Sequence, residues 1–429
     1  MFWGPFSRSP RGIDKVDLGF HRGLVRRWPG PIWSLSSTPW GLRLFTREET
    51  ARHLDVLDTV WRETAEIAED PVFWACQDWL VDRRPRPGLI RRGRDLGMIG
   101  RLAMVLKREP FQYGRPAGEI AGKALYLNVG QSTLARPDLA AWLDRQPDMR
   151  VVALIHDVIP LDNPELVPPQ NVAPFWNILH MLVRYADLVL TPSETAATSV
   201  RSRLAGIGGE QIPVFSEHLP MDDTFLSAVP VPKSRFDGPF FVCCGTVEPR
   251  KNQLFLLDVW RSLVPRLGGT TPPLVLAGHC GAGGEPVVAE IVADHELRPV
   301  VLPAEGLSST GMRGLVQQAT ALLMPSLAEG FGLPPVEALS VGTVPVCSDI
   351  PVLRETSQGL GIYLPAGDVV AWREAVIELT NKSAKSSVSG FVPSAWPDYV
   401  DRVVHRLMNV LASPVYRGAS SNSDRLPMS

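Results

Sequence analysis

PSLAEGFGLPPVEALSVGTVPVCSDIPVLRE (residues 325–355) joins an apolar run ending in Pro-Ser to a glycine-bearing turn, and the turn to a segment with helical spacing. Pro334 and Pro335 stand where the first turn of a helix tolerates proline. The backbone amides of Phe331, Gly332 and Leu333 would then be left free at the helix start, an arrangement that suits an anion such as a diphosphate. Gly330 and Gly332 would let the chain approach that anion closely. Glu329 and Glu337 bracket the turn, eight positions apart. A carboxylate beside a sugar accepts hydrogen bonds from hydroxyls without needing a shifted pKa. Taken alone, the pair has a plainer reading: Glu337 as an acid favourable to the helix dipole, and Glu329 as a loop charge.

Outward from this stretch, apolar runs alternate with helical segments. On the N-terminal side lie FFVCC (240–244), a helix over 252–267, LVLAG (274–278), VVLP (300–303), a helix near 311–318 and ALLMPS (321–326); helix 334–340 and TVPVC (343–347) lie within the stretch. An earlier set comprises ALYLNV (124–129), VVALI (151–155), a helix over 172–185, DLVLTPS (187–193) and a helix over 195–204 with Ser193 as N-cap. Strands alternating with helices predict parallel sheets, so the fold class is α/β, with two Rossmann-like doubly wound domains in tandem. VPVPKSRFDG (229–238) reads as the linker. The expected divisions are an N-terminal acceptor-side domain over 1–234, a C-terminal donor domain over 235–395, a helix over 396–412 returning to the first domain, and a disordered polar tail over 413–429. Before residue 120 only 47–69 has clear helical spacing.

A length of 429 residues suits two cores. A composition of 45% hydrophobic and 21% charged residues is globular, and a net charge of -2 gives no global field to attract nucleic acid. Five sparse cysteines without a Cys/His cluster suggest neither zinc nor a disulfide framework, and a reducing cytosol is the expected compartment. The first ten residues lack the apolar core of a signal peptide, and no apolar run is long enough to span a membrane.

E-G-F-G-L-P-P-V-E-A-L, preceded by an apolar strand ending Pro-Ser and followed by G-T-V-P-V and S-D-I-P, resembles the retaining glycosyltransferases of family 4, with their Glu-x7-Glu motif and two-domain GT-B fold. The resemblance implies that Glu329 touches hydroxyls of a donor sugar and that Glu337 holds the nucleotide ribose. C-C-G-T-V-E-P-R-K-N (243–252) looks like the family's phosphate loop, with Gly245 and Thr246 beside the donor and Lys251 matching its lysine. Thr246 replaces the usual arginine, and Arg250 offers positive charge from a shifted place. Fixed cations there would stabilise the leaving diphosphate as the glycosidic bond breaks. I-H-D-V-I-P (155–160) resembles the family's H-D-x-x-P loop, which implies that His156 faces the donor sugar, with Asp157 as a turn or supporting residue. S-P-R-G-I-D-K-V-D (9–17) resembles its N-terminal loop, where Gly12 would approach acceptor or phosphates. G-H-C-G-A-G-G (278–284) has the wrong spacing for a dinucleotide fingerprint and reads as a flexible loop.

The implied reaction moves a hexose, with retention, from a nucleotide diphosphate sugar to a hydroxyl of a growing, lipid-linked bacterial glycan. GDP-mannose is the expected donor. No cofactor is expected, and the lack of Asp-x-Asp argues against a metal. The alternatives are another GT-B activity, such as a sugar-nucleotide epimerase, and a silent glycan-binding scaffold. Residues 83–115 hold ten Arg/Lys (Arg91, Arg92 and Arg94 among them) against Asp95 and Glu109, with apolar residues between. That excess predicts peripheral binding to an anionic membrane at its cytoplasmic face.

Overall fold

The computed structural model describes residues 12–38, 41–62, 66–84, 88–91, 114–120, 122–131, 134–382 and 388–413. The chain opens with helix α1 (Gly12–Arg27), a hairpin of β1 (Trp33–Thr38) and β2 (Gly41–Thr46), and helix α2 (Arg47–Arg62). Helix α3 (Pro71–Asp82) and strand β3 (Ile90–Arg91) follow; β4 (Arg115–Pro116) pairs with β2. A four-stranded parallel sheet is then built in chain order from β5 (Ala124–Asn128), β6 (Met149–Leu154), β7 (Leu188–Thr191) and β8 (Val214–Ser216). Helices α4 (Val172–Tyr185) and α5 (Glu194–Ala205) connect its later strands.

The second half contributes β9 (Phe241–Cys244), α6 (Gln253–Leu267), β10 (Leu274–Ala277), α7 (Glu285–Ala293), β11 (Val301–Glu305), α8 (Ser309–Gln318), β12 (Ala321–Met324) and α9 (Leu333–Ser340). It continues with β13 (Val344–Ser348), α10 (Pro351–Thr356), β14 (Ile362–Leu364) and α11 (Val369–Asn381); α12 (Trp396–Ala412) comes last. These strands form a seven-stranded parallel sheet in the order β14-β13-β12-β9-β10-β11-β3. The order reverses between β9 and β12, so the loops after both strands open into one crevice, where open α/β sheets bind ligands. β9, β10, β12 and β13 are buried throughout, as strands covered by helices on both faces must be.

One division differs from the sequence reading. α3 and β3, assigned there to the first domain, go with the second sheet: β3 pairs in parallel with β11. Val72, Phe73, Cys76, Trp79 and Leu80 of α3 pack into the core with β9–β12 residues. Asp70 is fully buried and ties the segment down. Its carboxylate caps α3 through Val72 N (2.9 Å) and Phe73 N (3.1 Å), and its other oxygen accepts from Ser308 N (2.7 Å). α12 packs on α1, where Phe20 stacks edge-on against Trp396 and Tyr399 and Arg27 pairs with Asp401 at 2.5 Å. The tail beyond Ser413 lies outside the described residues, as does most of the basic stretch, residues 92–113.

Candidate functional site

The turn between β12 and α9 comes from the quoted stretch. Gly332 takes φ +84° at the N-cap of α9, a conformation that residues with a side chain rarely adopt. Gly330 is required by crowding, because a Cβ there would lie 2.3 Å from the carbonyl oxygen of His156 and 2.9 Å from Cβ of Asp157. The loops of the two domains therefore meet at this glycine. Ser193, the N-cap of α5, adds a second tie by donating to Gly330 O at 2.7 Å. The side chains of Phe331, Leu333 and Val336 pack with Val16, Phe20 and Tyr399 in a core shared between the domains.

Glu329 is the centre of an ion cluster. Lys251 Nζ lies 2.5 Å from its Oε1 and Arg250 Nη1 lies 2.8 Å from its Oε2. Only 6% of the glutamate side chain is exposed. Burial raises the carboxyl pKa, but Arg250 and Lys251 outweigh it and hold the group at about 2. Arg250 has further commitments: Ala328 O accepts from it at 2.7 Å and Glu248 Oε1 at 2.7 Å. Burial lowers the Arg250 pKa, but the carboxylates of Glu329, Glu248 and Asp157 raise it further, so it stays charged. Both cations come from the turn after β9, where Gly245 N donates to Ala277 O at 3.0 Å and Gln253 Nε2 donates to Thr246 O at 2.9 Å. The glycine cluster at 278–284 is packed against this turn: Val247 N donates to His279 O (2.8 Å) and Gly281 N to Val247 O (2.9 Å).

His156 is buried, with Nε2 3.1 Å from Val129 O. A carbonyl only accepts, so Nε2 carries the proton and Nδ1 is left as an acceptor. Burial pushes its pKa down to about 4, against weaker opposing effects from Val129 and Asp17. Asp157 caps the next turn through Ile159 N at 3.1 Å; burial raises its pKa although Arg250 opposes. Glu337 is buried in the first turns of α9, and Gly12 comes close to Leu333 on the facing side. Glu355, part of the quoted stretch but given no role by the sequence reading, ties α10 to the first domain. It accepts from Glu194 N (2.6 Å), Thr195 N (3.0 Å), Thr195 Oγ1 (2.8 Å) and His218 Nε2 (2.9 Å). No periodicity in the sequence could have paired residues that far apart in the chain.

The His156 geometry fixes a pH dependence. Its folded pKa lies below the ordinary 6.5, so the unfolded chain binds the extra proton between those values. The His156 contribution to stability is then full above pH 6.5 and is lost as pH drops towards 4, by up to about 3 kcal/mol. Glu329 acts lower, between 4.5 and about 2. His21, whose pKa is raised by Asp17 against burial, acts only above 6.5 and with the opposite sign. His156→Asn should flatten the Tm profile between about pH 6.5 and 4.5 and leave the steeper acid limb. An unchanged slope in that window would show that His156 is not the buried neutral group.

Residues 238–382 match the family described as Glycosyl transferases group 1. The O-antigen chain mannosyltransferase RfbU of Salmonella typhimurium (strain LT2) is 26% identical, over 53% of this chain and 64% of that protein. A GDP-mannose:cellobiosyl-diphosphopolyprenol alpha-mannosyltransferase of Xanthomonas oryzae pv. oryzae is 34% identical, over 20% of this chain and 24% of its own. The chain thus aligns with less than two thirds of the length of either relative. The solved OtsA apo structure overlays with a TM-score of 0.51 at 13% identity, covering 68% of this chain and 72% of that one, and it shares the two-domain GT-B fold.

Proposed function

We propose that this chain, which belongs to the group 1 glycosyl transferases through residues 238–382, moves mannose from GDP-mannose to a hydroxyl of a growing, lipid-linked bacterial glycan with retention of configuration. The observation that carries the reading is the meeting of Lys251, Arg250 and Glu329 at the N-terminus of α9, with the His156 backbone of the other domain against the same turn. Mannose, the GDP donor and the polyprenyl-linked acceptor follow the functions named for the two relatives.

Each residue has a task in this reading. Lys251, Arg250 and the α9 amides take up the charge that develops on the departing diphosphate. Glu329, kept ionised by its two cations, accepts from sugar hydroxyls, and His156 accepts another at Nδ1. Glu337 accepts from the ribose. The acceptor hydroxyl attacks from the face the diphosphate leaves and gives its proton to a phosphate oxygen. Lys251 and Arg250 neutralise diphosphate charge that a divalent ion would otherwise neutralise, so transfer should continue in EDTA. The testing experiment is transfer from a panel of GDP-, UDP-, dTDP- and ADP-sugars to a lipid-linked acceptor. GDP-mannose should be used best, and no turnover with any donor would end the assignment.

The work would take place at an anionic membrane surface, supported by the basic excess in residues 83–115. No helix among the described residues is long and apolar enough to cross a membrane. Arg83 is not part of a free basic face: it donates to Thr271 O at 2.7 Å and stacks on Phe236. Flotation with vesicles should show binding that needs anionic lipid, weakens with salt, and drops when Arg91, Arg92 and Arg94 become Glu. Equal binding to neutral vesicles, or none to either kind, would remove the membrane claim.

A further inference from the structure

Glu337 is 9% exposed, and among the described residues no group donates a hydrogen bond to its carboxylate. A buried carboxylate in that condition is costly unless a ligand supplies donors or a nearby charge compensates it. The compensating charge comes from the other domain. Lys15, in the first turn of α1, pairs through its Nζ with Asp222 at 3.0 Å, and its charge also acts on the Glu337 carboxyl. α1 reaches the site because Gly12 approaches the Leu333 side chain and Val16 packs with Val336.

We infer that Lys15 is a positioning residue of the donor site, whose charge at the start of α1 favours Glu337 as the acceptor of both hydroxyls of a nucleotide's ribose diol. The inference rests on the donor-site reading above and adds a residue from the first domain to it. A vicinal diol supplies two O–H donors, which a carboxylate matches with its two oxygens, and a protonated carboxyl loses part of that capacity. The charge balance around Glu337 fits this task. Burial raises its pKa, Lys15 opposes the rise and Asp222 adds to it, which leaves the carboxyl above its ordinary range. Lys15 itself is kept charged: burial lowers its pKa, but Asp222 and Glu337 raise it more. Cys244 on β9 is a further titratable neighbour, and burial holds its thiol protonated. Asp17 and His21 lie further along α1 and are paired with each other.

The test is nucleotide affinity against pH. Without Lys15, Glu337 protonates over a higher range, so binding should weaken on the acid side and recover as the carboxyl ionises. GDP binding is measured by calorimetry between about pH 6 and 8.5 for wild type, Lys15→Met, Lys15→Gln and Lys15→Arg, each with its Tm. Lys15→Met should bind GDP about tenfold or more weaker at the acid end and within about threefold of wild type at the alkaline end. Lys15→Arg should restore the flat wild-type profile. Wild type should prefer GDP over 2′-deoxy-GDP, and Lys15→Met should lose that preference at the acid end. Lys15→Gln reads the same profile if Lys15→Met does not fold. A pH-independent loss in the Met and Gln variants, or no loss, overturns the inference. If wild type binds no nucleoside diphosphate at all, the donor-site reading fails instead, and the two failures are told apart.

Discussion

Glu329→Ala should lower transfer by about 10³-fold or more, the scale on which preorganised charge at a reacting centre is measured. The structure adds a second effect. The carboxylate is the shared partner of Lys251 and Arg250, and its removal takes from Lys251 the one carboxylate paired with it among the described residues and leaves Arg250 with Glu248. Breaking a buried pair from one side costs about 3 kcal/mol, so denaturant unfolding should show a clear drop in midpoint. Glu329→Gln keeps the volume and two hydrogen-bonding atoms, so it separates the effects: most of the activity is lost, with a smaller loss of stability. Near-wild-type turnover in Glu329→Gln would remove this residue from the site.

Lys251→Ala should reduce kcat/KM by about 10²-fold, and Arg250→Ala by a similar factor. Their stabilities should differ. Lys251 serves Glu329 alone among the described residues, whereas Arg250 also holds Glu248 and the Ala328 carbonyl. Arg250→Ala therefore unties the turn after β9 from the turn after β12, and it should be the less stable variant by about 1–3 kcal/mol. Equal stability of the two would mean that the Glu248 and Ala328 contacts contribute nothing in solution.

Much of this architecture was legible in the sequence because buried parallel strands announce themselves as short apolar runs. FFVCC, LVLAG, VVALI and DLVLTPS each overlap a strand of one of the two parallel sheets. The turn at 329–333 was legible for a local reason, since two glycines followed by two prolines permit few backbone paths. Residues 71–91 were not. A two-residue strand carries no periodicity, and the side chain that anchors the segment, Asp70, reads locally as an ordinary helix cap although its second oxygen serves Ser308. The hairpin of β1 and β2 was missed because WSLSST lacks strong apolar alternation. Lys15 stood in a quoted motif without a role, since its partners Asp222 and Glu337 lie far along the chain. Sequence spacing locates charges on one turn. It does not show that Arg250 is shared among three acceptors, or that a glycine is demanded by a backbone from the other domain.

The central claim is retaining mannosyl transfer by these residues, and the anomeric configuration of the product tests it most directly. GDP-α-mannose and a lipid-linked oligosaccharide acceptor, incubated with the chain in EDTA, are followed by proton NMR of the new glycosidic linkage. The prediction is an α-linked mannosyl product that forms with wild type and not with Glu329→Gln. A β-linked product, or transfer equal in wild type and Glu329→Gln, would contradict it.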